Sequence, residues 1–238
     1  MPSHSGDVIN VDPAKLGGTL QTVALFAIAS LAPAAVLMVT AFVRISVVLA
    51  LLRQALGSPQ VPGNQVMMAL SLLLTALVMR PQAEVVYRDA VRPLLDEKIS
   101  LAEAWDAGSQ PIKMFMVEQI YRTGHEQYLA DLNEFAKPHG ESPGESRPVI
   151  GEDLSFRVVA PAFLLSELST ALVIGFAIYL PFLVIDLVVS SVLAAMGLVM
   201  MPPSLVAPPL KLIVFVLAGG WWLVAESLLR GFGLGGPS

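Results

Sequence analysis

Residues 158–225 read VVAPAFLLSELSTALVIGFAIYLPFLVIDLVVSSVLAAMGLVMMPPSLVAPPLKLIVFVLAGGWWLVA, and only Glu167, Asp186 and Lys211 in that stretch are charged. A helix on the surface of a soluble protein needs a polar face, and this stretch offers none. It is also long enough to enter a bilayer more than once, since a crossing takes about 20 apolar residues. Pro161, Pro181, Pro202, Pro203, Pro208 and Pro209 punctuate it. A helix cannot continue through Pro202-Pro203, so Gly197–Pro203 is predicted to be a turn. Asp186 and Lys211 stand at equal distances from that turn, and folding the chain there brings them to similar height on facing arms. Each arm between charge and turn is then about 18 Å, against a hydrocarbon core of about 30 Å. This describes a hairpin that does not fully cross the membrane. The alternative is two ordinary spanning helices with charges snorkelling at their ends.

The rest of the composition agrees. Of 238 residues, 55% are hydrophobic and only 14% charged, with a mean hydropathy of +0.71. Soluble domains carry about 25% charged residues, so the shortage of charge points to a membrane. The chain has no cysteine, which removes disulfides, thiolate metal sites and cysteine nucleophiles. Between Arg80 and Arg157 there are 14 acidic and 9 basic residues. That middle part carries the whole net charge of −5 and is read as water-facing and mildly acidic. No basic footprint for nucleic acid is present.

Working outward, residues 1–18 form a polar N-terminal segment without the basic start of a secretory signal. Residues 19–79 form an N-terminal hydrophobic helical region. Its first run, Leu20–Val43, holds no charge, is interrupted by Pro33 and is followed by Arg44 and Arg53. A turn-rich stretch at 57–64 separates it from a short apolar helix, Gln65–Met79. Residues 80–157 form a polar, mainly helical region, with Ile112, Phe115, Met116, Gln119 and Ile120 at helical spacing and a solvated loop over 137–153. Residues 158–230 form the C-terminal hydrophobic hairpins with the turn at 197–203. The fold class is all-α: membrane-associated helical hairpins around a polar helical middle.

Chemistry-bearing motifs are missing. None of the five lysines (Lys15, Lys98, Lys113, Lys137, Lys211) follows a glycine, so there is no Walker loop. His125-Glu126 begins like a zinc-protease motif, but Leu129 stands where the second histidine belongs. His4, His125 and His139 lie in polar segments and form no ligand cluster. Ser166-Glu167 is a hydroxyl beside an acid with no base in sequence. No enzyme activity, cofactor or metal is expected. Charges held among apolar residues are costly and read as functional. Arg44, Arg53, Glu167, Asp186 and Lys211 are two acids and three bases that can pair within an assembly. Small residues four apart, Ala171/Gly175, Ser190/Ala194 and Ser191/Ala195, allow close helix contact. They fit subunit packing, or chance in an Ala/Ser-rich sequence.

Several motifs together resemble one family. Thr40-Ala41-Phe42-Val43-Arg44-Ile45, Leu52-Arg53-Gln54-Ala55-Leu56-Gly57 and Pro62-Gly63-Asn64-Gln65-Val66 come first. Glu97-Lys98-Ile99-Ser100 and Gln110-Pro111-Ile112-Lys113-Met114-Phe115-Met116 follow. Pro161–Leu168, Ile174-Gly175-Phe176, Leu180–Val188 and Pro209-Leu210-Lys211-Leu212 complete the series. In this order, from about Leu31 to Trp221, they resemble the FliP family, and the LRQALG stretch resembles its flagellar branch more than the virulence-injectisome sister branch.

The resemblance implies a core structural subunit of the flagellar type III export gate in the bacterial inner membrane and basal body, with a periplasmic polar region. Copies would form a pentameric homo-oligomer that winds into a helical ring with two smaller membrane proteins, FliQ and FliR. Other export-apparatus membrane proteins and lipid would surround it, and unfolded protein substrates would pass through. The family's turn carries methionines that form a pore gasket, here Leu198, Val199, Met200 and Met201, with Leu198 and Val199 in place of two methionines. Ser169 stands where a lysine is usual and Gly219 where an aspartate is usual, so charge pairs using those positions do not carry over. A stand-alone membrane transporter or channel is the competing class, and it would work without partner subunits.

Overall fold

The computed structural model describes residues 23, 26–27, 30–31, 33–58, 62–136, 154–198 and 200–234. The polar segment 1–18, the whole of the loop 137–153 and Val199 lie outside the described residues. The chain divides into two compact units, 1–37 and 38–238. In the first, the described residues are helical and, apart from the half-buried Leu37, exposed. The Leu20–Val43 run is not one continuous helix, because a turn at Val39–Ala41 breaks it before the next helix begins.

The second unit contains α1 (Phe42–Ala55), α2 (Asn64–Val86), a π-turn (Tyr87–Val91), α3 (Arg92–Leu95), α4 (Leu101–Arg122), α5 (Gln127–Ala136), α6 (Phe156–Ala195), a short 3₁₀ turn (Pro203–Leu205), α7 (Ala207–Leu217) and α8 (Gly220–Gly231). No strand occurs among the described residues. α1 packs against α2 and α6, and α4 packs against the same two helices. These four therefore surround one core, with α1 opposite α4 and α2 opposite α6.

α1 is the buried member. Ile45, Val48, Leu49, Leu52, Ala55 and Leu56 recur at three- and four-residue spacing and are essentially inaccessible, each large one contributing about 1.5–3 kcal/mol. Phe115, Met116 and Ile120 from α4 and Val159, Ala162 and Phe163 from α6 complete the core. On α2, the buried hydroxyls of Ser71 and Thr75 donate to the carbonyls of Met67 and Ser71 at 2.8 and 2.6 Å. A buried polar face is thereby satisfied within its own helix.

The fall in hydropathy at Arg80 does not end a helix. Arg, Gln, Ala and Glu are good helix formers, and α2 continues through Pro81 and the π-turn to give an apolar-to-polar run Asn64–Leu95 of 32 residues. The chain then reverses at Asp96–Lys98 with Glu97 in the left-handed region (φ 56°). Ser100 starts α4 with a capping box: its hydroxyl accepts from the Glu103 N–H, and the Glu103 carboxylate accepts from the Ser100 N–H at 2.7 Å.

α6 has 40 residues, about 60 Å at ~1.5 Å per residue. Only 17% of its most apolar 18-residue stretch is buried within the chain. The rest of that surface is suited to lipid or to other subunits. Among the described residues, Asn64–Leu95 and α6 are each long and apolar enough to cross a membrane, and α7 with α8 adds a third if that bent pair counts as one span. α7 and α8 meet at a 66° bend, made by Gly219 in the left-handed conformation (φ 64°, ψ 33°).

Candidate functional site

Arg44 stands in the first turn of α1 and is 1% exposed, and Glu167 on α6 is 0% exposed. Arg44 Nε and Nη2 donate to Glu167 Oε2 and Oε1 at 2.7 and 2.5 Å. The third nitrogen, Nη1, donates to the Gly231 carbonyl at 3.3 Å, a cation capping the negative end of α8. The Phe232 ring lies 4.0 Å from the guanidinium carbon, within cation–π range. Phe232 also meets Phe115, which meets Phe163. Burying two charges is costly unless their hydrogen bonds are made, and here the fork matches the carboxylate bidentately.

A second charged node lies lower on α6. Lys211 on α7 is 5% exposed. Its Nζ donates to Asp186 Oδ2 at 2.7 Å and to the Ala55 carbonyl at 3.0 Å. The bond to Ala55 caps the C-terminal end of α1. Gly57 (φ +71°) lets the chain leave α1 beneath Pro208, which a Cβ at that position would approach to 3.3 Å. Arg53 joins neither node, and its Nη1 donates to Asn64 Oδ1 at the long distance of 3.5 Å. The five charges thus form two pairs and one loosely held arginine.

Between the arms lies the turn. α6 ends at Ala195, and Gly197 (φ +74°) closes it with the Leu198 N–H donating to the Leu193 carbonyl at 3.0 Å, a glycine-terminated helix end. Pro202 is extended and leads into the Pro203–Leu205 turn. Met200 is 97% exposed, Met201 and Leu198 partly so.

The small-residue pairs divide. Ala171 is buried, and a Cβ added at Gly175 would collide with the Leu51 side chain. This pair is therefore filled by the chain's own α1 and is not open to another subunit. Ala194, Ser191 and Ala195 remain exposed.

The sequence supplied no base for Ser166, but the fold brings His125 Nδ1 to 3.0 Å from its Oγ. Thr123 Oγ1 donates to the carbonyls of Gln119 and Ile120 and lies 2.8 Å from Ser166 Oγ. With the Thr123 proton so used, Ser166 donates to Thr123 and accepts from His125, which assigns the histidine proton to Nδ1. Ser166 is 0% exposed and Glu167 faces Arg44. The chain of hydroxyls fastens the α4–α5 corner to α6 and offers no substrate access. Among the described residues, no group of His, Asp and Glu is arranged to hold a metal ion.

The model of the FliP family matches residues 25–228. The chain belongs to the FliP family. It is 48% identical over 219 residues to the flagellar biosynthetic protein FliP of Caulobacter vibrioides, covering 91% of this chain and 78% of that protein. The Bacillus subtilis protein of the same name is 38% identical over 221 residues, covering 93% and 95%. That of Buchnera aphidicola (Acyrthosiphon pisum) is 40% identical over 232 residues, covering 98% of this chain and 58% of that longer protein. Both departures from the FliP pattern have a local account. Ser169 lies 3.4 Å from the Tyr128 hydroxyl, where a serine reaches and needs no counter-charge. Gly219 occupies the left-handed region, which aspartate also tolerates.

Proposed function

We propose that this FliP-family chain is a structural subunit of the flagellar type III export gate, built into the inner membrane with its polar middle in the periplasm. Five copies join FliQ and FliR around a pore for unfolded protein substrates, and the turn Leu198–Met201 seals that pore. Family membership supports the flagellar role. The observation carrying the seal is Met200, almost wholly exposed at the end of two arms that Lys211 and Asp186 tie together. An apolar side chain held out from a braced turn needs a partner surface. Methionine, unbranched and polarizable, closes around variable chains.

The test replaces Leu198, Val199, Met200 and Met201 together by alanine in the complete complex. The native-gel assembly is expected to persist, while conductance to small ions rises. An assembled, ion-tight variant would remove the turn from the gate.

A further inference from the structure

The turn between α6 and α7 gathers sulfur. Three of the chain's ten methionines, Met196, Met200 and Met201, fall within six residues. All three are exposed, and Met200 is almost wholly so. By contrast, Met116 is fully enclosed, and Met67 and Met79 are buried in the same core. Met68 and Met114 are exposed singly on α2 and α4. The chain has no cysteine, so no thiolate competes for an oxidant, and thioether sulfur is the readily oxidised group it presents.

The backbone holds this cluster outward. The Leu198 N–H bonds back to the Leu193 carbonyl at 3.0 Å, and the Met201 N–H bonds to the Leu198 carbonyl at 3.1 Å. Pro202 is extended and Pro203 opens the 3₁₀ turn. The chain is thus fixed on both sides of Met200, whose side chain points away from the fold.

Oxidation changes what such a turn can do. A thioether is a weak hydrogen-bond acceptor, whereas a sulfoxide is polar and disrupts methionine-rich apolar contacts. The two residues after Met201 are prolines, which carry no N–H to offer a new acceptor. A sulfoxide made here is therefore satisfied by water, and water is what an apolar seal excludes.

We propose that the turn is an oxidation site, with Met200 foremost, at which a peroxide opens the seal. The sulfur lone pair attacks one peroxide oxygen, and an S–O bond forms as the O–O bond breaks. The transferred oxygen gives up its proton to the departing hydroxide, so the sulfur loses two electrons and the peroxide leaves as water. This rests on the reading of the turn as the pore seal and adds to it a chemical means of opening.

The test treats the complete complex, reconstituted in lipid vesicles, with hydrogen peroxide. Peptide mass mapping is expected to show one added oxygen on Met200 about tenfold sooner than on Met116, because susceptibility follows exposure. Conductance to small ions, measured against each complex's own value before peroxide, is expected to rise severalfold. That rise is expected to persist in Met68→Leu with Met114→Leu. It is expected to vanish in Met196→Leu with Met200→Leu and Met201→Leu, whose side chains stay apolar and cannot be oxidised. Met200 oxidised no sooner than Met116 overturns the site. A rise that persists in the triple leucine variant, or full oxidation of Met200 without a rise, overturns the opening. In that last case the quadruple alanine variant separates the two readings: if it leaks, the seal stands and only the oxidation proposal falls, and if it is ion-tight, both fall.

Discussion

The guanidinium of Arg44 and the carboxylate of Glu167, 123 residues apart in sequence, meet in two parallel hydrogen bonds at a site closed to solvent. Removing either partner leaves a bare charge in the core, at a cost of about 3–5 kcal/mol. Glu167→Ala and Arg44→Ala are each expected to lower the unfolding midpoint in detergent severely. The apolar pair Arg44→Met with Glu167→Leu is expected to be far milder than the sum of the singles. Additive damage in the double variant would show that the two side chains act separately.

Asp186 and Lys211 invite the same cycle with a different readout. Lys211 keeps the Ala55 carbonyl when Asp186 is lost, whereas Asp186 keeps no partner of opposite charge when Lys211 is lost. Asp186 is, however, 37% exposed and can be hydrated. Asp186→Ala is therefore expected to reduce assembly more than the double change Asp186→Ala with Lys211→Ala, since it leaves the buried ammonium with only a carbonyl. Assembly yield on native gels decides this, and a double variant worse than Asp186→Ala would refute it.

The contact of α1 with α6 depends on Gly175. Gly175→Ala drives a methyl group into Leu51, and overpacking of this kind costs about 1–3 kcal/mol. Leu51→Ala in the same chain is expected to restore much of the loss by opening the space. Equal thermal midpoints for wild type and Gly175→Ala would mean that the helices part freely.

The cap of α4 gives a pH signature. The Ser100 backbone N–H, then the Ser100 hydroxyl, hold the Glu103 carboxyl below its ordinary range. A depressed carboxyl contributes stability that is present above its unfolded value, about 4.3, and is lost as pH falls through the folded value. The stability difference between wild type and Glu103→Ala is thus expected to be constant near neutrality and to shrink below about pH 4.3. Amide exchange at the start of α4 measures it, and a difference unchanged in acid would contradict the cap.

How much the sequence revealed depends on the range of each interaction. Asp186 and Lys211 were legible because a proline pair fixes a fold point halfway between them. The turn at Gly197–Pro203 was legible for the same local reason. Arg44 and Glu167 could be singled out as costly charges but not matched, since only the crossing of α1 and α6 brings them together. The roles of Gly231, Phe232 and His125 were missed, although Gly231-Phe232-Gly233 after an amphipathic run is a helix-end signal. Ala171/Gly175 carried the same signal for an internal as for an external neighbour, and only the position of Leu51 distinguishes them.

The bond from Arg44 to the Gly231 carbonyl also bears on sidedness. It returns the end of α8 to the level of Glu167 on α6, although the chain has in between descended to the turn and climbed back through the 66° bend. The two ends of the hairpin therefore lie at one level. A reporter domain inserted ahead of α6 and another fused behind α8 are expected in the same compartment, and a count of apolar segments along the sequence that scored α7 and α8 as two separate crossings would place whatever follows α8 on the wrong side.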